Sequence, residues 1–252
     1  MIGHFVHGNG PVRALVLHGW LGDWRAFEPM LASLDPGRYT LAFLDYRGYG
    51  RSKSSIGPFD IDTIVQDAAA LAEHLQWSRF SVVGHSMGGK AALRLALHLP
   101  GRVEHILAIT PVWAGPVPFD PEGLALFRGA AGDVALRQAI ISHTTGNRLP
   151  SYWARRLAEE SAAVSTPEAF GEYFESWAYE DFAAATHRLD VPTTVVVGAH
   201  DAAITPEWVR QTWLASLTRA SMTVLAEAGH YPMQECPPAL AALFDSTLPA
   251  LG

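Results

Sequence analysis

Short apolar runs punctuate the chain at Ala14–His18 (ALVLH), Tyr39–Leu44 (YTLAFL), Phe80–Gly84 (FSVVG), Val103–Thr110 (VEHILAIT), Thr193–Gly198 (TTVVVG) and Ser221–Ala226 (SMTVLA). None sustains an apolar/polar alternation, as expected of strands buried on both faces of a sheet. Between them lie segments of helical period. In Asp60–Gln76, the residues Ile61, Ile64, Val65, Ala68, Leu71, Ala72 and Leu75 form one stripe behind an acidic first turn. Lys90–Leu99, Pro206–Leu217 and Pro237–Leu248 behave alike, the last two opening on proline, which suits a first helical turn. This alternation predicts an α/β fold with a mostly parallel sheet covered by helices on both sides. The opening Met1–His7, turned by Asn9-Gly10, is expected to make a hairpin with Ala14–His18.

From about Pro111 to Asp190 the rhythm breaks. Helical patterns are separated by Gly and Pro, and no strand is expected. This stretch holds 11 of the chain's 26 aromatic residues, enough to pack an inserted helical cap onto the core and give it an apolar pocket. The expected organisation is a core of residues 1–110 and 191–252 with a cap at 111–190.

Composition narrows the picture. A chain of 252 residues with 49% hydrophobic and 17% charged residues can bury a large core, which excludes disorder as the main state. A net charge of −7 with no basic block excludes a nucleic-acid partner. The single cysteine, Cys236, excludes an internal disulfide and a thiolate metal cage. The start MIGHFVHGNG lacks the charged region and apolar run of a signal peptide. No apolar run approaches the roughly 20 residues that span a bilayer, so a cytoplasmic protein is expected.

The chemistry concentrates at Gly84-His85-Ser86-Met87-Gly88, a G-x-S-x-G pattern after a strand and before a helix. Serine on so sharp a turn sits in strained backbone, and side chains two positions to either side would collide. A serine hydroxyl needs a base and a group to orient that base. His230 follows the strand Ser221–Ala226 through Glu227-Ala228-Gly229, which puts it at the sheet's C-terminal edge. Asp201 occupies the same edge after Thr193–Gly198. The strand Val103–Thr110 ends without an acid, and Asp45, in a glycine-rich turn, is expected to hold its own loop. His18 and His85, also at strand ends, are expected to pack and hydrogen-bond. Backbone amides of Trp20, after His18-Gly19, and of Met87, at the helix N-terminus, are the candidate donors to an oxyanion. The order Ser86, Asp201, His230 is that of the α/β-hydrolase arrangement.

Over nearly its full length the chain resembles the α/β-hydrolase superfamily, on the segments LHGW (Leu17–Trp20), DYRGYGRS (Asp45–Ser52), GHSMGG (Gly84–Gly89), VVVGAHD (Val195–Asp201) and AGHYPMQECP (Ala228–Pro237). HGW with GHSMGG is similar to small bacterial carboxylesterases, including pimeloyl-ester esterases and aryl esterases with perhydrolase activity. The resemblance implies Ser86, Asp201 and His230 as a triad, Trp20 and Met87 as amide donors, and no metal or organic cofactor. It implies hydrolysis of an ester, thioester or lactone, with C–C bond hydrolysis of a vinylogous diketone and perhydrolysis as alternatives on the same triad. A hydrolase-fold receptor with little turnover is the alternative of another class. Ser86 speaks against relatives with a carboxylate nucleophile, and Lys53 and Lys90 do not stand where hydroxynitrile lyases place a lysine. Candidate pocket residues are Trp20, Trp113, Trp153, Phe174, Trp177 and Tyr231. A small substrate is expected as the partner, with short or medium acyl chains or a compact aromatic or lactone group. Monomer and homodimer stay open. Arg128, Arg155 and Arg156 are either contacts for a substrate carboxylate or solvated helix residues.

Overall fold

The computed structural model describes residues 1–250. Seven strands form one sheet in the order β1-β3-β2-β4-β5-β6-β7: β1 His4–His7, β2 Val12–Leu17, β3 Tyr39–Leu44, β4 Phe80–His85, β5 Val103–Ile109, β6 Thr193–Gly198 and β7 Ala220–Leu225. Every pairing is parallel except that of β1. β4 and β6 are buried along their whole length, as their unbroken apolar sequences demand.

The first strand departs from the expected hairpin. β1 pairs antiparallel with β3, His4 opposite Leu44 and His7 opposite Leu41. Both edges of β2 are occupied by parallel neighbours, β3 and β4. The free edge is that of β3, and the Asn9-Gly10 turn leads away from it: the Asn9 and Gly10 amides donate to the carbonyls of Pro36 and Tyr39.

Helices α1 (Ile61–His74) and α2 (Met87–His98) cover one face of the sheet, and α7 (Pro237–Thr247) with a short turn at Glu28–Leu31 covers the other. Asp60 caps α1 by accepting from the Thr63 amide at 2.7 Å. Four more helices lie between β5 and β6: α3 Pro121–Gly129, α4 Val134–Thr144, α5 Ser151–Val164 and α6 Pro167–Tyr179. Among the described residues no strand lies in 111–190; one isolated bridge, Tyr49 to Ser165, ties this segment to the loop after β3. The expected helix Pro206–Leu217 is irregular, one α-turn (Pro206–Val209) followed by a wide π-turn (Arg210–Leu214). There the Thr212 hydroxyl takes the Trp208 carbonyl and Trp213 is fully buried against Trp113. Among the described residues no helix is long and apolar enough to cross a membrane.

Candidate active site

Ser86 stands between β4 and α2 with φ 53°, a left-handed conformation that a non-glycine residue adopts only under constraint. The constraint is the packing of its flanking glycines. A Cβ on Gly84 would lie 2.3 Å from the Gly88 carbonyl oxygen, and one on Gly88 equally close to that of Leu17. The Ser86 amide donates to Ile109, and its carbonyl accepts from Gly89 and Val112, so both sides of the turn are fixed.

The hydroxyl of Ser86 lies 3.0 Å from Nε2 of His230, and Nδ1 of His230 lies 2.6 Å from Oδ2 of Asp201. Nδ1 facing a carboxylate carries the proton, which leaves Nε2 free to accept from Ser86. Oδ1 of Asp201 accepts from the amides of Ala203 and Ile204, both at 2.9 Å. The loop bearing His230 is held from several sides. Its backbone carbonyl accepts from Nε2 of His85 (2.8 Å) and the Thr110 hydroxyl (2.9 Å), and its amide donates to Thr144. Glu235, with its side chain almost wholly buried, accepts from the amides on both sides of the histidine, Gly229 and Tyr231, each at 2.8 Å, and pairs with Arg148. Sequence reasoning missed Glu235; its one signal is a carboxylate five residues beyond the histidine.

Gly19 brings the turn after β2 against the serine, since a Cβ there would stand 3.2 Å from Cβ of Ser86 and 2.5 Å from Nδ1 of His85. Trp20 and Met87 flank this point, and among the described residues neither backbone amide has a protein acceptor. The two other strand-end histidines are structural. His18 stacks on Tyr46, donates from Nδ1 to the Gly19 carbonyl and accepts at Nε2 from the Tyr46 amide; burial lowers its pKa. His85 is driven further down by burial and by the neighbouring His230, so it stays neutral. Asp45 accepts from the amides of Trp24 and Arg51, holding its own loop as expected, and burial raises its pKa.

Above the serine lies a cavity of about 220 Å³. Trp20, Trp113, Trp177 and Tyr231 line it, together with Val117, Phe119, Phe127, Ile140, Ile204 and Trp208. Two expected wall residues do not. Phe174 is buried behind Trp20, 5.6 Å between ring centroids, and Trp153 packs on the outer side of Tyr231 at 6.1 Å. Phe119 and Phe127 line the cavity instead. The indole of Trp20 is locked, stacked on Phe170 at 3.9 Å and donating from Nε1 to the Phe170 carbonyl. Arg128, Arg155 and Arg156 pair on helix surfaces with Glu175, Glu159 and Glu160, and none of them lines the cavity.

A family model described as the alpha/beta hydrolase fold matches residues 15–235. The chain belongs to that family. It is 27% identical to the pimeloyl-[acyl-carrier protein] methyl ester esterase of Nitrosomonas europaea, over 95% of this chain and 96% of the esterase. It is 28% identical to 3-oxoadipate enol-lactonase 2 of Acinetobacter baylyi, over 77% of this chain and 73% of that enzyme. Among solved structures, an esterase from Exiguobacterium antarcticum superposes with a TM-score of 0.83 at 19% identity, covering 97% of this chain and 93% of that one, a likeness of fold.

Proposed function

We propose that this α/β hydrolase is a serine carboxylesterase that cleaves an ester, thioester or lactone of a small, largely apolar substrate through an acyl-enzyme. The observation that carries the reading is the hydrogen-bonded series Ser86–His230–Asp201 at the floor of an apolar cavity. Ser86 attacks the carbonyl carbon as His230 takes its proton, and Asp201 keeps the imidazole in the tautomer that can accept. The amides of Trp20 and Met87 receive the charge that develops on the carbonyl oxygen, each worth about 2.7–4 kcal/mol in the transition state. His230 then protonates the departing alcohol and activates the water that releases the acyl group. Residues 111–190 act as a cap whose Trp113, Phe119, Phe127 and Trp177 select the substrate. The ester and lactone substrates in the names of the relatives support this bond type.

The test is Ser86→Ala against wild type, with a fluorophosphonate probe and p-nitrophenyl esters. Wild type should label at Ser86 and turn over short esters many times, and the variant should do neither. Wild-type-like hydrolysis by pure Ser86→Ala would overturn the assignment.

A further inference from the structure

We propose that Lys90 is a positioning residue that fixes the cavity wall relative to Ser86 by capping the C-terminal end of α6 from inside the core. Lys90 lies four residues beyond Ser86 on α2, about 6 Å along the helix axis. It is fully buried, yet no carboxylate oxygen is hydrogen-bonded to it among the described residues. Its ammonium donates instead to three backbone carbonyls, Trp177 at 3.0 Å, Glu180 at 2.5 Å and Gly115 at 3.2 Å.

Two of those acceptors belong to the end of α6, where the last carbonyls have no helical amide to pair with. The Ser176 carbonyl accepts from the Glu180 amide and that of Ala178 from the Val117 amide. Trp177 and the following Glu180 take Lys90. A cation there also meets the negative end of the helix dipole. The nearby Glu180 carboxyl is engaged by the Ser176 hydroxyl, and both Lys90 and Arg94 approach the ring of Phe182, at 5.8 Å and 5.2 Å from its centroid.

The consequence for the site follows from what those carbonyls carry. The indole of Trp177 is a wall of the cavity and meets Trp20 edge-on, 5.6 Å between centroids; Gly115 lies two residues beyond Trp113, a second wall. Both walls are thereby tied to the helix that starts at the serine. Burying an ammonium with no carboxylate hydrogen-bonded to it is costly, and a methionine would fill the same space uncharged. What methionine cannot do is satisfy the carbonyls. The backbone hydrogen bonds that hold Ser86 itself involve Ile109, Gly89 and Val112, not Lys90.

The kinetic arm of the test rests on the esterase reading; the exchange arm does not. In Lys90→Met, turnover of p-nitrophenyl acetate should stay within about threefold of wild type. KM for p-nitrophenyl benzoate should rise about tenfold with kcat nearly unchanged, the signature of lost uniform binding. Lys90→Gln, which keeps a neutral donor, should fall between. Hydrogen exchange at the Val117 and Glu180 amides should quicken about tenfold or more in Lys90→Met as the helix end loosens. A folded Lys90→Met with unchanged exchange and an unchanged benzoate-to-acetate KM ratio overturns the proposal. If that variant does not fold, Lys90→Gln decides by the same two measurements. Should wild type hydrolyse neither ester, the esterase reading fails while exchange still decides the role of Lys90.

Discussion

Asp201 divides its two carboxylate oxygens between His230 and its own loop: Oδ2 faces Nδ1 of the imidazole at 2.6 Å while Oδ1 receives two backbone amides. That division dictates what Asp201→Asn must do. The amide oxygen of asparagine has to stay with the two N–H donors, so its NH2 is turned toward His230. Nδ1 is then forced to accept, and the proton moves to Nε2, where it blocks proton transfer from Ser86. Stability should change little, and kcat for ester hydrolysis should fall on the order of 10⁴-fold. Steady-state kinetics with a melting curve on the same sample checks both.

Gly19→Ala tests the turn after β2. The new methyl would press on Nδ1 of His85 and on Cβ of Ser86, at 2.5 Å and 3.2 Å, and both are packed too tightly to yield. The turn must shift, carrying the Trp20 amide away from the place proposed for the substrate carbonyl. We expect kcat to drop on the order of 10²–10³-fold, the scale of one lost oxyanion donor. KM should change far less, as measured by initial rates over a substrate series.

Glu235→Gln separates the histidine's orientation from its chemistry. Each carboxylate oxygen of Glu235 accepts from one amide beside His230. In glutamine one of those positions becomes an NH2 opposing an N–H, and the partnership with Arg148 loses its charge. The variant should be less stable by about 1–3 kcal/mol and slower in kcat, because the imidazole is less firmly aimed. An unchanged kcat in a folded variant, measured at saturating ester, would exclude the positioning role.

The legibility of this molecule in its sequence follows the range of the interactions. The turn at Ser86 reads clearly because the collisions that require Gly84 and Gly88 are with backbone within a few residues or on the adjoining strand. Asp201 and His230 are legible as strand-end positions because each follows its strand, β6 and β7, by a short loop. The pairing of β1 does not, because it depends on which edges of β2 are already filled. Trp153 and Phe174 look as eligible for the cavity as Phe119 and Phe127, and only the tertiary packing of the helices between β5 and β6 distinguishes them. Lys90 has the sequence of a helix-surface lysine; its burial comes from α6, almost ninety residues away in the chain.

Phe127→Ala should lengthen the substrates the cavity accepts. The ring stands among Trp20, Phe119 and Trp177, with centroids 4.9–5.9 Å apart, and closes one side of a compact space. Wild type is expected to peak on short or medium acyl chains and to have lost most activity by about twelve carbons, and the variant to move that peak upward. A chain-length series of p-nitrophenyl esters measures the shift. An unmoved peak would mean that the acyl group leaves the cavity by another side.

Lys90 should also write itself into the pH dependence of stability. Burial pushes its ammonium down from 10.5 to about 8, against the smaller opposing pull of Glu180 and Asp181. In the unfolded chain it keeps its proton until about pH 10.5, so between 8 and 10.5 the unfolded state binds more protons than the native one. Stability from this group therefore rises with pH across that window, by up to about 1.4 kcal/mol per pH unit. Buried tyrosines such as Tyr49, whose pKa values are raised, titrate alike in wild type and Lys90→Met and cancel in the difference. From pH 7.5 to 10, the melting temperature of wild type should move upward relative to the variant by several degrees, at roughly 2–4 °C per kcal/mol. A difference that stays flat or moves the other way would mean that the three carbonyls and the helix dipole hold the ammonium charged against its burial, so that its pKa is not lowered.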